Sequence, residues 1–215
     1  MTKKELFGKV IAWFEQNIPL PETELKYKSA YELLVAVILP AQCTDKRVNI
    51  ITPPFFKRFP NAETLADSSV DEIFEYIKSC SYPNNKAKNL SGMAKSLVNN
   101  FGGVVPDEVT ELQKLPGVGR KTAHVIASVV YNKAVLAVDT HVFRVAARIG
   151  LSSDARTPLE TEKQLVKYIP EELISKAHHW LILHGRYVCI ARKPRCGECG
   201  LSGVCRYFSE NKLKG

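Results

Sequence analysis

Four cysteines, Cys189, Cys196, Cys199 and Cys205, stand at the spacing C-x6-C-x2-C-x5-C, with Pro194, Gly197, Gly200 and Gly203 among them. Thiols at that density are metal ligands, and glycine lets the chain wrap closely around a compact inorganic core. Four thiolates also suit a tetrahedral zinc ion, but zinc ribbons usually pair two short hooks across a longer loop. One C-x2-C flanked by two wider intervals fits a four-iron four-sulfur (4Fe-4S) cubane better. Such a site carries net negative charge, which Arg186, Arg192, Lys193, Arg195 and Arg206 are placed in sequence to offset. Arg192, Lys193 and Arg195 also lie in a short loop tied at both ends by metal ligands, a form of cation display that suits phosphate contact more than a merely solvated charge run does. Cys43 and Cys80 have no partner at metal spacing and read as small buried hydrophobes.

A second constellation is Leu115-Pro116-Gly117-Val118-Gly119, followed by Arg120 and Lys121 and an apolar run. This predicts two helices joined by a hairpin, with Gly117 and Gly119 at tight positions and free amides at the start of the second helix, an anion-binding arrangement. A plain packing corner would explain the glycines; the basic pair beside them points to a polyanion backbone. Lys121 near a helix N-terminus is opposed by the macrodipole and by Arg120, and burial would add to that opposition. For stability alone it is a poor choice, whereas an amine nucleophile benefits from it. Asp139, in Ala137-Val138-Asp139-Thr140-His141, is the second candidate for chemistry. An N-cap would explain an Asp there equally well, and the two roles are compatible if only one face of the carboxylate caps. Its chemical use would be to stabilise an electron-poor carbon and relay a proton.

The elements that must position these groups are helical. Apolar residues recur at helical spacing in Leu6, Val10, Trp13 and Phe14, in Leu90, Met93, Ala94, Leu97 and Val98, and in Leu173, Ile174, Ala177 and Leu181. The fold class is therefore read as all-α, about ten short helices, with Pro19, Pro21, Gly102-Gly103 and Gly150 as stops and capping-box spacing at Ser29/Glu32 and Ser69/Glu72. Residues 33–39 and 122–130 are apolar nearly all round and are expected at the centre. No linker or repeat marks a domain boundary. Thirty Lys and Arg against 22 Asp and Glu give a net charge of +8, which favours an anionic partner such as nucleic acid. No stretch reaches the length of a membrane span and no leader is evident, so the chain is read as cytoplasmic with reduced cysteines.

In their order along the chain, the hairpin through Lys121-Thr122-Ala123, the run Val138-Asp139-Thr140-His141-Val142-Phe143-Arg144, the run His178-His179-Trp180-Leu181-Ile182-Leu183-His184-Gly185-Arg186 and the four-cysteine loop resemble the bacterial endonuclease III family over nearly the whole length. The resemblance implies two helical domains flanking a DNA-binding cleft: a six-helix domain with the helix-hairpin-helix motif at 22–133, and a cluster domain of 1–21 plus 134–215. It implies a bifunctional DNA glycosylase and AP lyase of base excision repair, working as a monomer on oxidised pyrimidines or abasic sites in double-stranded DNA. Lys121 matches the family's attacking lysine and Asp139 its catalytic aspartate. Gln42, in Ala41-Gln42-Cys43-Thr44-Asp45, matches the residue that enters the vacated base position. Three residues depart from the family pattern: Pro40 replaces a common serine, Tyr82 stands where a leucine wedge is expected, and His124 replaces an asparagine one turn from Lys121. A tyrosine can stack on a base in the wedge's place. His124 reads either as a core histidine or as a group that tunes the lysine.

Two rivals are weaker. An adenine-specific mismatch glycosylase of the same superfamily would place a glutamate in the first buried helix, where Ala36 stands between Val35 and Val37. A non-catalytic DNA-binding or redox-sensing protein would have no use for both Lys121 and Asp139.

Overall fold

The computed structural model describes residues 1–39 and 44–212. Among them the regular structure is entirely helical: twelve α-helices and three short 3-10 turns. Helix α1 (Lys3–Asn17) opens the chain. There follow α2 (Ala30–Ile38), α3 (Asp45–Arg58), α4 (Ala62–Ala66), α5 (Val70–Ile77), α6 (Pro83–Phe101), α7 (Val109–Leu112) and α8 (Arg120–Tyr131). Then come α9 (Thr140–Ile149), α10 (Pro158–Val166), α11 (Ile174–Tyr187) and α12 (Arg206–Lys212). The excess over the expected ten includes elements such as α4 and α7, which are too short to display a helical period. No described helix is long and apolar enough to cross a membrane.

The chain divides into two compact units, one of Thr23–Asn132 and one of Met1–Glu22 with Lys133–Gly215. In the first, α2 lies at the centre: Leu33, Leu34, Val35, Ala36 and Leu39 are fully buried. Helix α8 packs against α2 and α7, with Ala123, His124, Ile126, Ala127 and Ser128 inside and only its first residues, Arg120 and Lys121, exposed. Helix α3 runs through Pro53 and Pro54, each of which removes an intrahelical donor; burial of Val48, Ile51, Thr52 and Phe55 holds the helix across that gap. In the second unit, Phe14 of α1 stacks on Trp180 of α11 at 5.6 Å, and the Trp180 indole donates to Ile18 O at 2.7 Å. Val142, Val145, Ala146 and Ile149 of α9 complete that core.

The capping pattern differs in detail from the sequence reading. Ser29 and Ser69 accept from the amides of Glu32 and Glu72, but the reciprocal arms do not form. Glu32 takes the amide of Lys28 at 2.6 Å, and Glu72 pairs with Arg58 at 2.6 Å. The complete capping box is at α1, where Thr2 and Glu5 cap each other.

Candidate functional site

The hairpin is built from the inside outward. Leu115 and Val118 are buried, and the Val118 amide donates to Leu115 O at 3.0 Å to close the turn. These two side chains anchor the loop, so only their backbones are available to a ligand. Gly117 has φ +79°, and a Cβ there would fall 2.9 Å from Cβ of Asn89 on α6. Gly119 is different: it is the N-cap of α8 with φ −84° and ψ 176°, extended backbone that any residue adopts, and nothing lies within 4 Å of where its Cβ would be. Its missing side chain leaves the helix start open instead of satisfying a tight turn. No side chain caps α8, so the positive end of the helix is presented beside the exposed Arg120 and Lys121. Lys121 is exposed, contrary to the burial expected. His124 is buried, and Ser128, one turn further on, has a buried hydroxyl with no hydrogen-bond partner.

Tyr82 is the N-cap of α6 in a left-handed conformation, φ 54° and ψ 50°, and its side chain is 63% exposed. A non-glycine residue held there stores strain on the order of 1–3 kcal/mol, and a large aromatic ring facing water gives little of it back. Gln42, Pro40 and Cys43 lie outside the described residues; Cys80 is buried, as expected of a small hydrophobe.

Asp139 divides its carboxylate between two tasks. Oδ1 accepts from the amides of His141 and Val142, both at 2.8 Å, capping α9. Oδ2 faces Nδ1 of His141 at 3.1 Å, so one oxygen is left outside the cap. The approach to Asp139 is rigid, because Leu136, Ala137 and Val138 are buried and the buried His178 ring holds Ala137 O at 2.8 Å through Nδ1. Helix α11 comes close to α9 at Gly185, where a Cβ would lie 2.9 Å from Cβ of His141 and 3.0 Å from Cγ2 of Val145.

The four thiols line one cavity, which Ile149, His184, Leu201 and Phe208 also line. The four sulfurs share one space, which suits a polynuclear core. Tight turns place the ligands: Cys189 N bonds His184 O at 2.7 Å, Cys199 N bonds Cys196 O at 3.3 Å and Cys205 N bonds Ser202 O at 3.3 Å. A side chain on Gly200 would run into the Trp13 indole, so the chain hugs α1 at that point. Burial pushes the Cys199 and Cys205 thiols up, with neighbouring cysteines adding to the rise; metal binding must therefore displace protons. His184, with Nε2 3.6 Å from Cys199 Sγ, is pushed down to about 4 by burial, and its Nδ1 has no partner. Arg192, Lys193 and Arg195 are all exposed, Lys193 at φ +53°, and the loop is closed by Arg195 N donating to Val188 O at 3.0 Å.

Two arginines fasten this segment to α9: Arg144, which stood in the family run with no role assigned, and Arg148, which was not singled out. Arg144 donates to Cys189 O at 3.2 Å and Gly185 O at 2.9 Å. Arg148 reaches Cys189 Sγ, Ile190 O and Ala191 O. Their partners lie more than forty residues away, and the one available signal was their spacing of four on a single helical face.

Residues 35–171 match the family model described as HhH-GPD superfamily base excision DNA repair protein, and residues 189–205 match the iron-sulfur binding domain of endonuclease III. Endonuclease III of Rickettsia felis is 45% identical, covering 95% of this chain and 96% of its own; that of Escherichia coli is 40% identical, covering 92% and 93%. A solved structure of a trapped endonuclease III–DNA covalent intermediate superposes with a TM-score of 0.93 at 38% identity, covering 99% of this chain and all of that one. The chain therefore belongs to the endonuclease III family within the HhH-GPD superfamily, and its cofactor is a 4Fe-4S cluster, which the shared cavity and the all-thiol donor set fit.

Proposed function

We propose that the chain is a bifunctional DNA glycosylase and AP lyase that removes oxidised pyrimidines from double-stranded DNA and cuts the strand at abasic sites. The observation that carries this reading is the exposed amine of Lys121 on the first turn of α8, directly after an uncapped, core-anchored hairpin. The backbones of Leu115, Gly117, Val118 and Gly119, with Arg120, hold a DNA phosphate; Arg192, Lys193 and Arg195 hold another part of the backbone. The damaged nucleotide leaves the stack, since its sugar cannot be attacked inside it, and Gln42 and Tyr82 support the opened duplex.

Lys121 Nζ then attacks the anomeric carbon. The glycosidic bond breaks, its electron pair leaves with the base, and the base takes up a proton. Nζ loses its proton, the sugar ring opens and a Schiff base forms. Removal of a proton from the adjacent sugar carbon expels the 3′ phosphate by β-elimination, and water releases the amine. Asp139 stabilises the electron-poor carbon and relays the amine's proton through the oxygen not used in capping. The solved relative held covalently to DNA supports an enzyme-linked intermediate. Cys189, Cys196, Cys199 and Cys205 hold the cluster, which when bound supplies a rigid four-point tie. The enzyme works as a monomer in the cytoplasm, on the chromosome.

Borohydride added during reaction with a thymine-glycol duplex should trap a covalent adduct. Lys121→Ala should abolish the adduct and keep measurable DNA binding. An adduct of undiminished yield in that variant would show that another amine attacks; none in the wild type would reject the lyase reading.

A further inference from the structure

Arg192, Lys193 and Arg195 are exposed, whereas an arginine N–H that reaches a ligand sulfur comes from α9. Arg148 Nη1 lies 3.6 Å from Cys189 Sγ and 2.8 Å from Ile190 O, and Nη2 lies 2.9 Å from Ala191 O. One planar fork thus grips three consecutive residues. One face of the guanidinium lies over the Tyr207 ring, 4.7 Å from its centroid, while the N–H groups at its edge donate to the three acceptors. Cys205 Sγ comes within 3.4 Å of Arg148 O, which places the same residue against a second ligand of the cluster. The residues that follow Ala191 are Arg192, Lys193 and Arg195, and Lys193 is held in a left-handed conformation that an untethered loop would relax.

We infer that Arg148 is the positioning residue of the cluster segment: its guanidinium neutralises part of the charge on the Cys189 thiolate and fixes the start of the cationic loop. A positive donor on a partly buried thiolate favours the more negative redox state of the cluster. A loop whose first residues are held by charge-assisted hydrogen bonds loses less entropy on meeting phosphate. The loop's part in DNA affinity rests on the function proposed above; the charge and the tether do not.

The test uses iron-loaded protein and three variants. Arg148→Gln should keep its iron, shift the cluster's reduction potential to more negative values, speed hydrogen exchange at the Arg195 amide by about tenfold, and weaken binding to undamaged duplex by a similar factor. Arg148→Lys, a point charge without a fork, should recover most of the potential and leave the amide fast. The triple variant Arg192→Ala, Lys193→Ala, Arg195→Ala should weaken DNA binding and leave the potential near that of the wild type. Wild-type potential and exchange in Arg148→Gln would overturn the inference, and so would loss of iron from both Arg148 variants, because the four thiolates should retain the cluster without it. Unchanged DNA binding in the triple variant would overturn only the loop's contact with DNA.

Discussion

The hairpin Leu115–Gly119 and the loop Cys189–Arg195 present similar chemistry, amides and cations, but they are held by opposite means. Two buried apolar side chains and one turn hydrogen bond fix the hairpin, with a glycine where α6 leaves no room. The loop is half-exposed or exposed from Cys189 onward, and side-chain grips and metal ligands fix it. The first is shaped by the hydrophobic effect, which is non-directional and always present. The second is shaped by directional bonds and depends on a cofactor being inserted.

Iron removal should break the comparison most severely. Structural metal sites in small metallo-domains contribute on the order of 10 kcal/mol, so chelation or Cys199→Ser should raise hydrogen exchange across residues 189–205 and leave the amide of Val118 protected. Equal opening of both segments would mean that the hairpin too depends on the cluster. Leu115→Ala is the reciprocal experiment: it should cost roughly 2–5 kcal/mol in denaturant unfolding while visible absorbance from the cluster persists in the native baseline. Next come the two glycines. Gly117→Ala should cost about 1–3 kcal/mol, from strain at positive φ and the encounter with Asn89. Gly119→Ala should stay within about 0.5 kcal/mol of wild type yet reduce DNA affinity, since its methyl would occupy the open approach to α8.

The smallest effect concerns His179, whose pKa is lowered from its ordinary 6.5 by burial and by Arg186. The folded state prefers the neutral ring, so this contribution is complete above about pH 6.5 and is lost as pH falls from there toward the lowered folded value. Stability should decline over that window, and His179→Phe should flatten the decline.

Much of this contrast was legible in the sequence because it rests on local patterns. The helical periods of α1, α6 and α11, the hairpin's glycines with the adjoining lysine and the cysteine spacing are all contained in short windows. What escaped depends on chain segments meeting across large separations. Arg144 and Arg148 look like ordinary surface arginines of an amphipathic helix until α11 and the loop arrive beside them. Glu32 and Glu72 have capping-box spacing, but the Lys28 amide and Arg58 compete for their carboxylates. Gly119 resembles Gly117 in sequence and differs from it in backbone conformation, which is set by the helix that follows. The burial expected for Lys121 failed because it stands on the first turn of α8, at the helix's exposed start, while His124 and Ser128 further along the same face are buried.

The close crossing at Gly185 bears on how inactive variants are interpreted. Any side chain there would push against His141, Val145 and Arg144 together, moving the helix that begins at Asp139 and carries Arg148. A substitution at this position would pass in a genetic screen for a loss of catalysis or of cofactor, though the glycine touches neither; the defect would belong to the spacing between two helices.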